Sequence, residues 1–124
     1  MNNQNVTTHK EVIPQVTADK LDAIITENNY KVIDVRNPEG IEKQGSIPNA
    51  VNIPFDTVEN ATDKNHNGYH PVFDSEGPFL FCCTGGVMSY AAALKARENG
   101  VDHVYNLEGG HSAWLTLKKE TAQV

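Results

Sequence analysis

Cysteine is scarce in this chain: two residues in 124, and they are adjacent, Cys82-Cys83. That is too few and too close together for a disulfide framework, and no second cysteine cluster exists to complete a zinc site. Basic charge is also short. Ten Lys and Arg stand against 16 Asp and Glu, a formal net charge of −6, which argues against nucleic acid, a partner that wants a basic stripe. No apolar run approaches the roughly 18 residues of a membrane span, so no membrane partner is expected. The start, Met1-Asn2-Asn3-Gln4-Asn5, has no basic stretch leading into an apolar core, and no signal peptide is visible. The expected compartment is the cytoplasm, with the periplasm as the alternative if a leader has been removed. There is no internal repeat or low-complexity tract.

What is present suits one domain, which at this length buries roughly two thirds of its unfolded surface and needs neither disulfide nor metal to fold. Residues 1–11 are polar and read as a disordered tail, 12–119 as the domain, and 120–124 as a short tail. Thr17 is placed to cap a first helix, with Asp19 in its first turn, Leu21, Ile24 and Ile25 at helical spacing, and Asn28-Asn29 at its end. Lys31 to Val35 reads as a buried parallel strand and is followed by a turn-rich stretch, Asn37-Pro38-Glu39-Gly40. Ala50 to Ile53 is a second strand, stopped by Pro54. Residues 55–77 read as one weak helical turn and a long surface excursion, with a lean towards covering the pocket and choosing the acceptor. Pro78 to Cys82 is the strongest strand. A helix over Met88 to Asn99 follows, with Tyr90, Ala91, Leu94 and Arg97 on one face and Gly100 at its end. Val101 to Leu107 gives another strand, then Gly109-Gly110 and a short helix carrying Ala113, Trp114 and Leu117. This alternation predicts an α/β sandwich with a mostly parallel sheet.

The chemistry concentrates where a strand ends in Cys82-Cys83 and runs into Thr84-Gly85-Gly86 before a helix. Loop glycines let successive backbone N–H groups turn inward as an anion-binding nest, and the helix behind adds the positive end of its dipole. A thiol there has its pKa lowered and its thiolate stabilised. Suitable occupants are a phosphate, an arsenate or the terminal sulfur of a persulfide. Buried strand-end thiols are common core residues, but ligands of open α/β sheets bind at this carboxyl edge. Strand alternation points Cys83 into the nest and Cys82 into packing.

Cys83-Thr84-Gly85-Gly86-Val87-Met88-Ser89 resembles the rhodanese active loop, C-x-x-G-x-R-S. Two other blocks resemble the same family: Ile33-Asp34-Val35-Arg36 followed by Gly45 to Pro54, and Leu107-Glu108-Gly109-Gly110-His111-Ser112-Ala113-Trp114. The resemblance covers residues from about 12 to 117. It implies a rhodanese-like three-layer α/β sandwich with a mostly parallel five-stranded sheet flanked by helices. It also implies a sulfurtransferase that carries sulfur as a Cys83 persulfide, with N–H groups of residues 84 to 88 holding the terminal sulfur. No cofactor and no metal are implied. The partners would be a small sulfur-containing donor and a thiol acceptor, which a protein cysteine or cyanide could replace; the protein would be a monomer or homodimer. The rival reading is a relay or interaction module without turnover of its own. Against it stands the intact Cys83, which a degenerate domain loses first.

Several positions depart from the family pattern. Met88 stands where thiosulfate-using members place arginine, so poor thiosulfate use is expected and persulfide or polysulfide donors are favoured. A phosphatase or arsenate reductase loop, Cys-x₅-Arg, is also missing: the arginine position is Ser89 counted from Cys83 and Met88 counted from Cys82. One residue is inserted between Arg36 and Gly45, and Gly40 replaces a common glutamate partner of the arginine, a role open to Glu39 or Glu42. Ser46 and Asn49 replace a frequent His and Gly. Asp34 and Arg36 read as a structural ion pair in preference to a reactive one, Ser89 as a helix cap and loop stabiliser, and Trp114 as core. His66, His70 and His111 fit no ligand spacing and are expected on the surface.

Overall fold

The computed structural model describes residues 12–122; the expected N-terminal tail lies outside the described residues. Five strands form one sheet: β1 (Gln15–Val16), β2 (Lys31–Asp34), β3 (Val51–Asn52), β4 (Phe79–Cys82) and β5 (Val104–Leu107), in the order β1-β5-β4-β2-β3. Every pairing is parallel. β4 is central, paired with β2 and β5, which is why Phe79-Leu80-Phe81-Cys82 is apolar at every position: both faces are covered by helices.

The helices are α1 (Leu21–Glu27), α2 (Pro38–Gln44), α3 (Val58–Ala61), α4 (Val87–Glu98) and α5 (Gly110–Ala122). One face of the sheet, with Ile33, Phe79, Phe81 and Val104, packs on Ala92, Ala93 and Ala96 of α4 and on Val58 and Ala61 of α3. The other, with Val32, Leu80, Cys82 and Leu107, packs on Leu21 and Ile24 of α1 and Trp114 of α5. Two helical layers therefore enclose one sheet. The Trp114 ring nitrogen donates to Asp22 at 2.9 Å, tying α5 to α1. α5 runs three residues beyond the domain end expected at 119; residues 123–124 are outside the described ones.

Four local expectations need correction. The stretch after Arg36 is a helix, α2, with Asn37 extended before it and Pro38 at its start; proline suits a first helical position because its missing N–H needs no partner there. Thr17 precedes a single 3₁₀ turn, and its side chain makes no cap hydrogen bond. On α4 the buried residues are Ser89, Ala92, Ala93 and Ala96, while Ala91 is exposed and Tyr90, Leu94 and Arg97 are half-buried. Small side chains face the sheet because they let the helix backbone approach it closely, so bulk misleads about which face is inside. Residues 55–77 are anchored in the core through Val58, Ala61, Thr62 and Phe73, whose ring lies 5.2 Å from Phe79 and 6.3 Å from Phe81.

Candidate functional site

The site lies at the carboxyl end of β4. Because neighbouring residues of a strand point to opposite faces, Cys82 sits fully buried in the α1/α5 layer and Cys83 on the α4 side. Behind the loop, the first turn of α5 donates His111 N–H to Cys83 O at 2.8 Å and Ser112 N–H to Thr84 O at 2.9 Å. Loop carbonyls thus satisfy two donors that a helix start leaves without partners. The approach is so close that a Cβ on Gly110 would lie 2.5 Å from both carbonyl oxygens. With its carbonyls turned back, the loop presents N–H groups forward. Cys83 Sγ accepts Gly86 N–H at 3.1 Å and Ser89 N–H at 3.3 Å. Gly86 takes a left-handed φ of +93°, open to glycine without strain.

Burial by itself raises the Cys83 thiol's pKa. The Ser89 hydroxyl and the N–H groups of Ser89, Gly86 and Gly85 outweigh it, and the thiol is held below its ordinary value. Cys82 goes the other way: burial pushes it well up, the Asp34 charge adds to this, and Arg36 opposes it. Native protein should therefore alkylate at Cys83 alone, with a pH midpoint below that of a free cysteine, and Cys82 should react only after unfolding. Peptide mapping after iodoacetamide treatment across a pH series checks both; equal labelling of the two cysteines in the folded state would contradict the assignment.

Cys83 opens into a pocket of about 290 Å³ lined by Val35, Arg36, Asn37, Gly40, Thr84, Gly85, Val87 and Met88. Val87 is 80 % and Met88 48 % exposed, so an apolar rim flanks the sulfur. None of residues 55–77 lines this pocket. That stretch therefore supplies no wall of the pocket; its buried side chains hold it to the core.

Among the described residues Arg36 is the one cation on the pocket wall, and it is already engaged. Its Nε and Nη2 donate to the Asp34 carboxylate (Nη2 at 2.7 Å), Nη2 also to Gly45 O at 3.0 Å, and Nη1 to Gln44 Oε1 at 3.2 Å. The side chains are 4 % and 2 % exposed, so the two form a buried ion pair. The arginine's additional partner is Gln44, not Glu39 or Glu42. Gln44 Oε1 also accepts the Thr84 hydroxyl at 3.2 Å, joining α2 to the active loop.

Ser89 and His111 also differ from expectation. Ser89 is not the helix cap. That position belongs to Gly86, while the Ser89 hydroxyl donates to Asn106 Oδ1 at 2.6 Å. His111 is 1 % exposed, not a surface residue, because α5 starts hard against the loop and carries the ring inward, 5.7 Å from Trp114. Burial and the Arg36 charge lower its pKa, with Asp34 opposing. His66 is exposed and His70 half-buried, and each accepts a local backbone N–H. Among the described residues no group of His, Cys, Asp and Glu could hold a metal ion. Sequence reasoning missed Asn106, a polar residue in the apolar strand Val104-Tyr105-Asn106-Leu107. A buried amide needs partners, and that requirement was the available signal.

The profile of the rhodanese-like domain family matches residues 17–117. A mouse protein, thiosulfate sulfurtransferase/rhodanese-like domain-containing protein 3, is 31% identical over 108 residues, covering 83% of this chain and 69% of its own. The human thiosulfate:glutathione sulfurtransferase is 28% identical, covering 82% and 93%. Among solved structures, a Rhodopseudomonas palustris protein of unknown function, described as a possible tyrosine phosphatase, superposes with a TM-score of 0.83 at 25% identity, covering 95% of this chain and 96% of that one.

Proposed function

This chain belongs to the rhodanese-like domain family, and on that premise we propose that it transfers sulfane sulfur through a persulfide on Cys83. The observation that carries the reading is the Cys83 sulfur itself, held by the Gly86 and Ser89 N–H groups at the floor of an open pocket. The thiolate attacks the outer sulfur of a donor R–S–SH. The donor S–S bond breaks, RS⁻ leaves, and Cys83–S–SH forms. Loss of its proton gives a terminal sulfur whose charge suits backbone N–H donors. An acceptor thiolate R′S⁻ then attacks that sulfur, forming R′S–S⁻ and releasing the Cys83 thiolate, a two-step cycle with no net oxidation. Glutathione, named as a substrate of the human relative, is a small thiol of the class this second step requires.

The donor should carry little charge. Thiosulfate is a dianion, the rim is Val87 and Met88, and Arg36 is committed to Asp34, Gln44 and Gly45. The same facts weigh against a phosphatase, despite the description of the Rhodopseudomonas relative. A phosphoryl transition state needs a free cation, and neither Met88 nor Ser89 supplies one.

Intact-protein mass spectrometry after incubation with polysulfide, or separately with thiosulfate, tests the reading on wild type and Cys83→Ser. Wild type should gain one sulfur atom, more readily from polysulfide, and the variant none. A folded wild type that gains none from either donor sinks the reading in favour of a relay module loaded by a protein partner.

A further inference from the structure

Asn106 is the one polar side chain that β5 sends into the α4-facing side of the sheet, in register with Ile33 and Phe81 through β4. It is 1 % exposed, and a buried amide is tolerable there only if its donors and acceptor are all met. They are met by the segment that holds the sulfur and by Gln15 of β1. Nδ2 donates to Gly86 O at 3.0 Å and to Gln15 Oε1 at 2.9 Å, while Oδ1 accepts the Ser89 hydroxyl at 2.6 Å. Gly86 and Ser89 are the same two residues whose N–H groups reach Cys83 Sγ.

We propose that Asn106 is a positioning residue for the reactive sulfur, acting through the Gly86 peptide and the Ser89 side chain. The Gly86–Val87 peptide is trans, so its C=O and N–H point in opposite directions. Drawing the Gly86 carbonyl down towards β5 turns the Val87 N–H up, away from the core. There it can serve a terminal persulfide sulfur. The second lever is the Ser89 proton. Its hydroxyl has one hydrogen and two acceptors within reach, Asn106 Oδ1 and the Cys83 sulfur. When Cys83 is a thiol the proton rests on Asn106; a thiolate competes for it. Gln15 sets the amide's orientation, since an Nδ2 bonded to two oxygens leaves Oδ1 facing Ser89.

This inference rests on Cys83 being the reacting sulfur, and its test needs no sulfur donor. Asn106→Asp keeps the shape and an acceptor for Ser89, but it cannot hold the Gly86 carbonyl when ionised and places a negative charge beside the sulfur. Asn106→Ser is small and neutral and too short to reach Gly86 O. The readout is the pH profile of iodoacetamide alkylation at Cys83, with far-ultraviolet circular dichroism and thermal unfolding run on the same samples. Asn106→Asp should move the midpoint upward by about one unit, slowing alkylation about tenfold at pH values below both midpoints. Asn106→Ser should slow it about threefold, roughly half a unit, because releasing the Gly86 carbonyl loosens the Gly86 N–H on the sulfur by more than the freed Ser89 hydroxyl returns, and it decides the matter alone if the aspartate form does not fold. A folded variant that loses thermal stability yet alkylates along the wild-type profile assigns Asn106 a merely structural role and overturns the proposal. A wild type that alkylates at Cys83 but accepts no sulfur overturns the sulfur-transfer reading and leaves this one standing.

Discussion

Replacing Arg36 by alanine is expected to destabilise the domain by about 3–5 kcal/mol, the usual result of removing one partner from a buried ion pair. The substitution leaves the Asp34 carboxylate 2 % exposed, still accepting the backbone N–H of residue 36 but with no cation. It also removes the bonds to Gln44 and Gly45 that fasten α2 and the turn after it to β2. For a domain of this size the loss corresponds to a midpoint of thermal unfolding lower by roughly 10–20 °C. Thermal unfolding of both proteins measures this directly, and an unchanged midpoint in Arg36→Ala would overturn it.

Installing arginine at Met88 should change the choice of donor. Met88 is half-exposed at the pocket rim and close to the sulfur in sequence and space. Among the described residues no cation on the pocket wall is free to help a dianion, since Arg36 is engaged with Asp34. A hydrogen bond to a charged group contributes about 1.5–3 kcal/mol, and solvent screening at a half-exposed position keeps the gain near the lower figure. That corresponds to about a tenfold rise in Cys83 persulfide formation from thiosulfate, with polysulfide loading changed much less. The ratio of the two loading rates, followed by mass spectrometry, is the measurement. An unchanged ratio in folded Met88→Arg would show that some other feature of the pocket governs donor charge.

Much of the fold was legible in the chain because β4 is central. Burial on both faces demanded the apolar run Phe79 to Cys82, and the run's abrupt end at Cys83-Thr84-Gly85-Gly86 marked the site. The opposite orientations of the two cysteines followed from strand alternation, which holds wherever a strand is regular. α2 was hidden because Pro38 and Gly40 are turn residues in most settings; here proline occupies a first turn, and Gly40 lines the pocket with open space where a Cβ would project.

The residue pattern by itself thus determined the layer architecture, the placement of Cys83 and the cradle behind it. Each depends on local backbone chemistry: burial period, strand alternation and glycine conformations. Tertiary structure alone decided the rest. Strand order brought Asn106 of β5 beneath a loop that follows β4. The close seat of α5 buried His111, and α2 delivered Gln44 to Arg36 and Thr84. These contacts join segments 8 to 40 residues apart. Hydrogen bonds between such segments depend on where elements dock, and docking is set by the shape of a shared core that no short run of residues encodes.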